Sequence, residues 1–75
     1  MRKLYEIAHD IRADWQPVYF GAEPYLSAMF SLENITDSYY QDSAESVVRY
    51  FLGNAQTWRG EVARRVKAEL KSMLK

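Results

Sequence analysis

The sequence predicts an all-α protein, folded as a compact bundle of three to four short helices. Apolar residues recur at steps of three and four in separate segments, which is the period of amphipathic helices. Prolines and turn-forming residues divide these segments. A chain of 75 residues supports one domain, residues 1–75, and its 48% apolar content is enough for a core. Because the chain has no cysteine, neither a disulfide nor a thiolate-bound zinc ion stabilises it.

Two helices are predicted in the first half of the chain. The first runs from Arg2 to Asp14, and its apolar stripe is formed by Leu4, Ile7, Ala8, Ile11 and Trp15. Pro17 ends this helix, because the residue before a proline is pushed out of the helical region. Pro24 fits the first turn of a second helix that ends near Leu32. If this second segment is only partly helical, the bundle has three helices.

Two further helices are predicted in the second half. Residues 33–42 are rich in turn and cap formers and form the least regular stretch. The third helix begins with Asp42 as its N-cap and Glu45 three residues later, which is the spacing of a capping box. Thr57 caps the fourth helix, which continues to Leu74. The apolar stripe predicted for this helix consists of Trp58, Val62, Val66, Leu70 and Met73.

Charge is balanced over the chain and unbalanced along it. Ten basic and ten acidic residues give a net charge of +0. Residues 16–48 contain five acids and no base, whereas residues 49–75 contain seven bases and two acids. Either the acidic middle and the basic end pack together and neutralise each other, or each presents a charged patch to a separate partner.

The sequence predicts a protein that is not an enzyme and that uses no metal and no cofactor. Glu6 and His9 have the Glu-x-x-His spacing of di-iron bundles, but such sites need two of these motifs and the chain has one His. Asp10 and Asp14 lie four residues apart, and with Arg12 nearby they fit a solvated helix face better than an acid–base pair. A chain this small leaves little room for a pocket, so no small-molecule substrate is expected.

The unusual feature is the aromatic content, which is 15% of the chain. A small helical core does not hide all of these rings, and exposed Tyr and Phe beside charged residues are typical of protein interfaces. We therefore expect a protein partner, either another protein or a second copy of this chain. The alternative is that the rings cover an undersized core. The candidate contact residues are Tyr19, Phe20, Tyr39, Tyr40 and Arg59.

Arg59 is included because the predicted fourth helix places it on the apolar side. A charge in that position needs a partner of opposite sign. Asp37 and Asp42 precede it in the acidic segment. We predict that Arg59 pairs with one of them and ties the loop around residues 39–40 to the fourth helix.

Nucleic-acid binding is the alternative function. The third helix, a short link and a basic fourth helix follow the order of a helix-turn-helix. The sequence pI of about 6.6 is below the values usual for small DNA-binding domains, and the acidic middle would repel DNA. The residues that would contact DNA are Arg59, Arg64, Lys67, Lys71 and Lys75.

The sequence predicts no contact with membranes. Charged residues interrupt the apolar residues that follow the basic start, so no signal-peptide core is present. No apolar run approaches the roughly 18 residues that a membrane span needs. The expected location is the cytoplasm.

Several stretches of the chain match one pattern, IRxDW…VYFGAxPYL…YFLxNAxTWRGExAxxxKxEL, which extends over nearly the whole length. The matching residues are Ile11, Arg12, Asp14, Trp15, 18–22, 24–26, 50–52, Asn54, Ala55 and 57–61. In this pattern the chain resembles a group of short uncharacterised proteins that are carried by phages and prophages of Gram-positive bacteria. The resemblance implies a setting and no mechanism. That setting favours an accessory factor that binds and modulates a host or phage protein, such as a component of host defence.

Overall fold

The computed structural model describes residues 2–74, which contain four helices and one two-stranded sheet. The molecule is therefore mostly helical, as the apolar periodicity predicts, but it is not purely all-α. The elements in chain order are α1 (Leu4–Asp14), α2 (Glu23–Met29), β1 (Ser38–Tyr39), β2 (Asp42–Ser43), α3 (Ala44–Gly53) and α4 (Glu61–Met73).

Helix α1 carries the predicted apolar stripe, and its residues Leu4, Ile7, Ala8 and Ile11 are all buried. The helix begins two residues later than the sequence analysis places it. The first N–H groups of the helix bind the segment that follows α2. The backbone N–H of Leu4 donates to the carbonyl of Glu33 at 2.8 Å, and the backbone N–H of Tyr5 donates to the carbonyl of Leu32 at 3.0 Å. These bonds satisfy donors that the helix itself leaves free.

Helix α2 is shorter than predicted. Pro24 lies in its first turn, as expected, but the helix ends at Met29 and two residues of turn lead to Leu32. The backbone N–H of Leu32 donates to the carbonyl of Met29 at 3.1 Å, so the chain tightens after the helix. The buried side of α2 packs against α3 and α1.

The sheet is a β-hairpin that the sequence analysis did not predict. Tyr39 pairs with Asp42 in an antiparallel register, and Tyr40 and Gln41 form the turn. Asp37 stabilises the turn that precedes the hairpin. Its carboxylate accepts hydrogen bonds from the backbone N–H groups of Asn34 at 3.0 Å and Glu33 at 3.1 Å. Two residues per strand are too few to produce a period in the sequence.

Because of the hairpin, α3 begins one residue later than the sequence analysis predicts. Asp42 belongs to β2, so the N-cap is Ser43, whose Oγ accepts a hydrogen bond from the backbone N–H of Ser46 at 3.0 Å. The predicted Asp42–Glu45 capping box is therefore wrong by one position. The buried face of α3 contains Ala44, Val47, Val48 and Phe51.

Helix α4 begins at Glu61 and not after Thr57. Its N-cap is Gly60, whose φ of 112° lies in a region that favours glycine. Trp58 precedes the helix, in a turn where its backbone N–H donates to the carbonyl of Ala55 at 3.1 Å. The buried stripe of α4 consists of Ala63, Val66, Leu70 and Met73.

Three aromatic rings join the two halves of the chain in the core. We call this group the aromatic junction, and it consists of Trp15, Phe51 and Trp58. The rings of Trp15 and Trp58 stack at 5.7 Å between centroids, and Phe51 meets them edge-on at 6.2 and 6.4 Å. The indole N–H of Trp58 donates to Oδ2 of Asp14 at 2.8 Å. The junction thus connects α1, α3 and the segment before α4.

Candidate functional site

The largest exposed rings near the end of α3 are Tyr19, Phe20 and Tyr50, which are 43%, 80% and 57% exposed. The rings of Tyr19 and Phe20 are in contact, with centroids 4.9 Å apart, and Tyr50 packs on Tyr25 at 5.5 Å. We call these four residues the aromatic surface. Half-buried Tyr25 packs against the core, but Phe20 covers little of it.

Gly21 allows the Tyr19 ring to lie close to Asn54, at the C-terminal end of α3. A Cβ atom at this position would lie 2.5 Å from Cε2 of Tyr19 and 3.0 Å from Oδ1 of Asn54, so only glycine allows both groups to approach. Asn54 follows α3, and its Nδ2 donates to the carbonyl of Tyr50 one turn earlier at 2.9 Å. Tyr19 therefore lies against the C-terminal end of α3, close to Tyr50.

The other predicted pair of rings lies on the hairpin. Tyr39 is half-buried, whereas Tyr40 at the tip is 89% exposed, and their ring centroids are 4.7 Å apart. The hairpin precedes the N-terminal end of α3, and a helix of 10 residues is about 15 Å long. The structure thus divides the predicted contact residues between the two ends of α3.

Arg59 joins neither pair of rings. The predicted ion pair with Asp37 or Asp42 is not formed within residues 2–74. Hydrogen bonds from the backbone N–H groups of Asn34 and then Glu33 occupy the Asp37 carboxylate and lower its pKa below the ordinary value. Arg59 is exposed, because the helix that would have turned it inward begins only at Glu61.

Arg59 lines a cavity of about 380 Å³ at the start of α4. We call it the basic cavity, since three cationic side chains and no carboxylate line it. The residues are Gln56, Trp58, Arg59, Gly60, Ala63, Arg64 and Lys67.

Lys67 is held in place inside this cavity. Its Nζ donates to the carbonyl of Trp58 at 2.6 Å and lies 6.0 Å from the centroid of the Trp58 ring. Burial lowers the pKa of Lys67 below its ordinary value, and repulsion by Lys71 and Arg59 lowers it further. The positive charges around the cavity therefore oppose one another.

Three of the five acids of the acidic middle form ion pairs, and none of these pairs is with α4. Glu23 pairs with Arg12 at 2.7 Å, Glu33 with Lys3 at 3.9 Å and Glu45 with Arg49 at 3.4 Å. These acids do not pair with α4. Among the described residues, no ion pair is formed by Arg59, Arg64, Arg65, Lys67 or Lys71. Lys75, the last member of the predicted basic set, lies outside the described residues.

The polar residues of α1 whose spacing resembles a metal site or an acid–base pair each have a different contact in the structure. His9 is exposed, and its ring meets Phe30 edge-on at 4.8 Å. Asp10 forms an ion pair with Arg2, and Asp14 accepts the Trp58 hydrogen bond. Within residues 2–74, no three His, Cys, Asp or Glu side chains come together in a group that could hold a metal ion.

Sequence reasoning missed Tyr50. The residue lies in the last turn of α3, next to the buried Phe51, and its side chain is 57% exposed. A large aromatic residue outside a predicted apolar stripe was the available signal.

Comparison with protein-family models, with curated proteins and with solved structures finds no match for this chain. Over residues 2–74, none of the helices combines the length and the apolar character that crossing a membrane requires.

Proposed function

We propose that this protein is a small non-enzymatic accessory module that acts by binding another protein through its aromatic surface. The observation that carries the proposal is Phe20, which has no polar atom in its side chain and is 80% exposed. Its ring contacts that of Tyr19, which lies near the end of α3 whose last turn contains the exposed Tyr50. In the phage or prophage setting that the resemblance implies, the partner is a host protein whose activity the module modulates.

Burial of Phe20 by a partner would release much free energy. Fully burying a Phe side chain is worth about 1.5–3 kcal/mol relative to leaving it exposed, so covering the exposed part of this one ring is worth about 1–2.5 kcal/mol before the cost of association. Rings that contribute this much are the anchors of protein interfaces.

The neighbouring rings are held before a partner arrives. The Tyr50 ring packs on Tyr25, and the Tyr19 ring lies against Gly21 and Asn54. Side chains that are already ordered lose little conformational entropy on binding. Tyr residues suit this role, because each offers a large area with only two rotatable side-chain angles.

The experiment has two steps. First, a photoreactive phenylalanine analogue replaces Phe20 in cells that naturally make the protein, and the cross-linked protein is identified by mass spectrometry. The same analogue at the exposed position of Ser72 on α4 is the control. The purified partner is then titrated calorimetrically with the native chain and with the Phe20→Ser and Tyr50→Ser variants.

We expect a partner that is cross-linked from position 20 and not from position 72. Each Ser variant should weaken its binding at least about tenfold, which corresponds to 1.4 kcal/mol. A second copy of this chain would also satisfy the proposal if both variants lower the mass of the oligomer. Tyr40→Ser is the matched truncation at the other end of α3. Unchanged affinity in both the Phe20 and Tyr50 variants would contradict the proposal, whatever Tyr40→Ser does.

One observation favours the second candidate function, nucleic-acid binding through α4. The cations of residues 59–71 form no ion pair within residues 2–74, so they are free to contact phosphates. Binding of this kind weakens steeply as salt is added, whereas binding through the aromatic surface does not.

A further inference from the structure

We propose that the basic cavity is a binding site for a phosphate group, with Arg59, Arg64 and Lys67 as its contacts. The site is distinct from the aromatic surface. It deepens the second candidate function by naming the position and the chemistry of one contact.

The first argument is that one of the three cations is fixed in advance. Lys67 donates one of its three Nζ protons to the Trp58 carbonyl, so two protons remain to bind a ligand. Trp58 is itself held by the hydrogen bond to Asp14 and by the stacked ring of Trp15. The ammonium group is therefore anchored to the core of the molecule, unlike a lysine on an open helix face.

The second argument is the charge balance of the cavity. Arg59, Arg64 and Lys67 line the same space, and within residues 2–74 no carboxylate pairs with any of them. Repulsion from Arg59 and Lys71 contributes to the lowered pKa of Lys67. An anion bound in the cavity would attract all three cationic groups and so offset the repulsion between them.

The third argument concerns which anion fits. A phosphate monoester carries a charge of about −1.5 to −2 at neutral pH and three strong acceptor oxygens. Guanidinium groups bind such oxygens through paired N–H donors, and a lysine adds a point charge. A carboxylate has two oxygens and one charge, so it would offset less of the positive charge of the three cations than a phosphate does. The cavity volume of about 380 Å³ admits a phosphate together with part of the molecule that carries it.

The phosphate could come from a small molecule or from the backbone of a nucleic acid. Inorganic pyrophosphate serves as the probe for the first source, and a mixed-sequence DNA duplex as the probe for the second. Both are titrated into the ¹⁵N-labelled full chain at low salt, and the amide shifts are followed by NMR. The spectra also report whether each variant is folded.

The variants are Arg59→Gln and Arg64→Gln, and Arg65→Gln is the matched control. Arg65 is the chain neighbour of Arg64 and loses the same charge, but it lines a different cavity with Asp10 and Asp14. We expect saturable shifts around residues 56–67 with pyrophosphate. Arg59→Gln and Arg64→Gln should each weaken binding about tenfold, and Arg65→Gln less than about twofold.

If the duplex shifts the same amides and pyrophosphate competes with it, the source is a nucleic acid. In that case Arg64→Gln should also reduce the slope of log K against log salt by about one. If only pyrophosphate binds, the source is a small molecule. Equal losses in Arg64→Gln and Arg65→Gln, or no saturable binding of either probe, would overturn the proposal. None of these results depends on the protein partner, because Phe20 and Tyr50 are unchanged in every variant.

Discussion

The aromatic junction and the aromatic surface are built from similar contacts and differ in what covers them. Ring centroids are 5.7 Å apart for Trp15 and Trp58 in the junction, and 4.9 Å apart for Tyr19 and Phe20 on the surface. Trp58 is only 2% exposed, whereas Phe20 is 80% exposed. Contact between rings therefore does not tell which of the two clusters holds the fold together.

The two clusters differ in whether contacts within the chain satisfy the polar groups of the residue and bury its ring. The indole N–H of Trp58 is bound by Asp14 and its carbonyl by Lys67, and its ring is enclosed by Trp15 and Phe51. Phe20 meets one neighbouring ring and is otherwise open to water. The junction is complete within the monomer, and the surface is not. This contrast is what the following substitutions test.

Trp58→Ala should have the largest effect on stability. Removing a buried aromatic side chain costs about 3–5 kcal/mol, and the total stability of a small domain is only about 5–15 kcal/mol. Phe20→Ala should change the free energy of unfolding by no more than about 0.5 kcal/mol, because the ring is exposed. Urea denaturation followed by circular dichroism measures both. Comparable losses in the two variants would remove the distinction between the junction and the surface.

The hydrogen bond between Asp14 and Trp58 should account for part of the junction's stability. Trp58→Phe keeps most of the ring and removes the N–H donor, and Asp14→Ala removes the acceptor. In a double-mutant cycle of the two, we expect a coupling energy of about 1–2 kcal/mol. Asp10→Ala with Trp58→Phe is the control cycle, because Asp10 lies on the same helix as Asp14 but pairs with Arg2, and the Trp58 N–H donates to Asp14. A coupling near zero in the first cycle would mean that packing alone holds the junction.

The sequence predicted the helices better than their ends. The stripes of α1, α3 and α4 follow from periodicity, which depends on residue type alone. The caps do not, because several residues near each start are able to serve. The N-cap of α3 is Ser43 and not Asp42, because Asp42 belongs to strand β2 of the hairpin. The N-cap of α4 is Gly60 and not Thr57. Both outcomes depend on contacts with other parts of the chain.

The candidate site was predictable in its residue types and not in its grouping. The sequence indicated exposed rings near Tyr19 and Tyr40, and both are exposed. It could not show that Gly21 brings Tyr19 to the end of α3 where Tyr50 lies, because that proximity is tertiary. The partner assigned to Arg59 was wrong because the prediction placed Arg59 on the apolar side of the fourth helix, whereas Arg59 precedes α4 and is exposed.

Tyr40 allows the smallest and sharpest test of the same contrast. It is 89% exposed, and its φ of 56° is in the left-handed region, which costs a residue with a Cβ atom roughly 1–2 kcal/mol. Tyr40→Gly removes that cost and adds about 0.5–1 kcal/mol of freedom to the unfolded chain. The net result should be a stabilisation of about 0.5–1 kcal/mol, measured by urea denaturation.

Gln41→Gly is the control, because it is the other residue of the same turn and its φ is not in the left-handed region. It adds the same freedom to the unfolded chain and relieves no strain, so it should destabilise the protein by about 0.5–1 kcal/mol. If Tyr40→Gly is more stable than the native chain while Gln41→Gly is less stable, a residue with a Cβ atom at the hairpin tip costs the fold free energy, and Tyr40 is not one of the residues that hold the fold together. If both variants lose stability equally, Tyr40 belongs with the residues that hold the fold together.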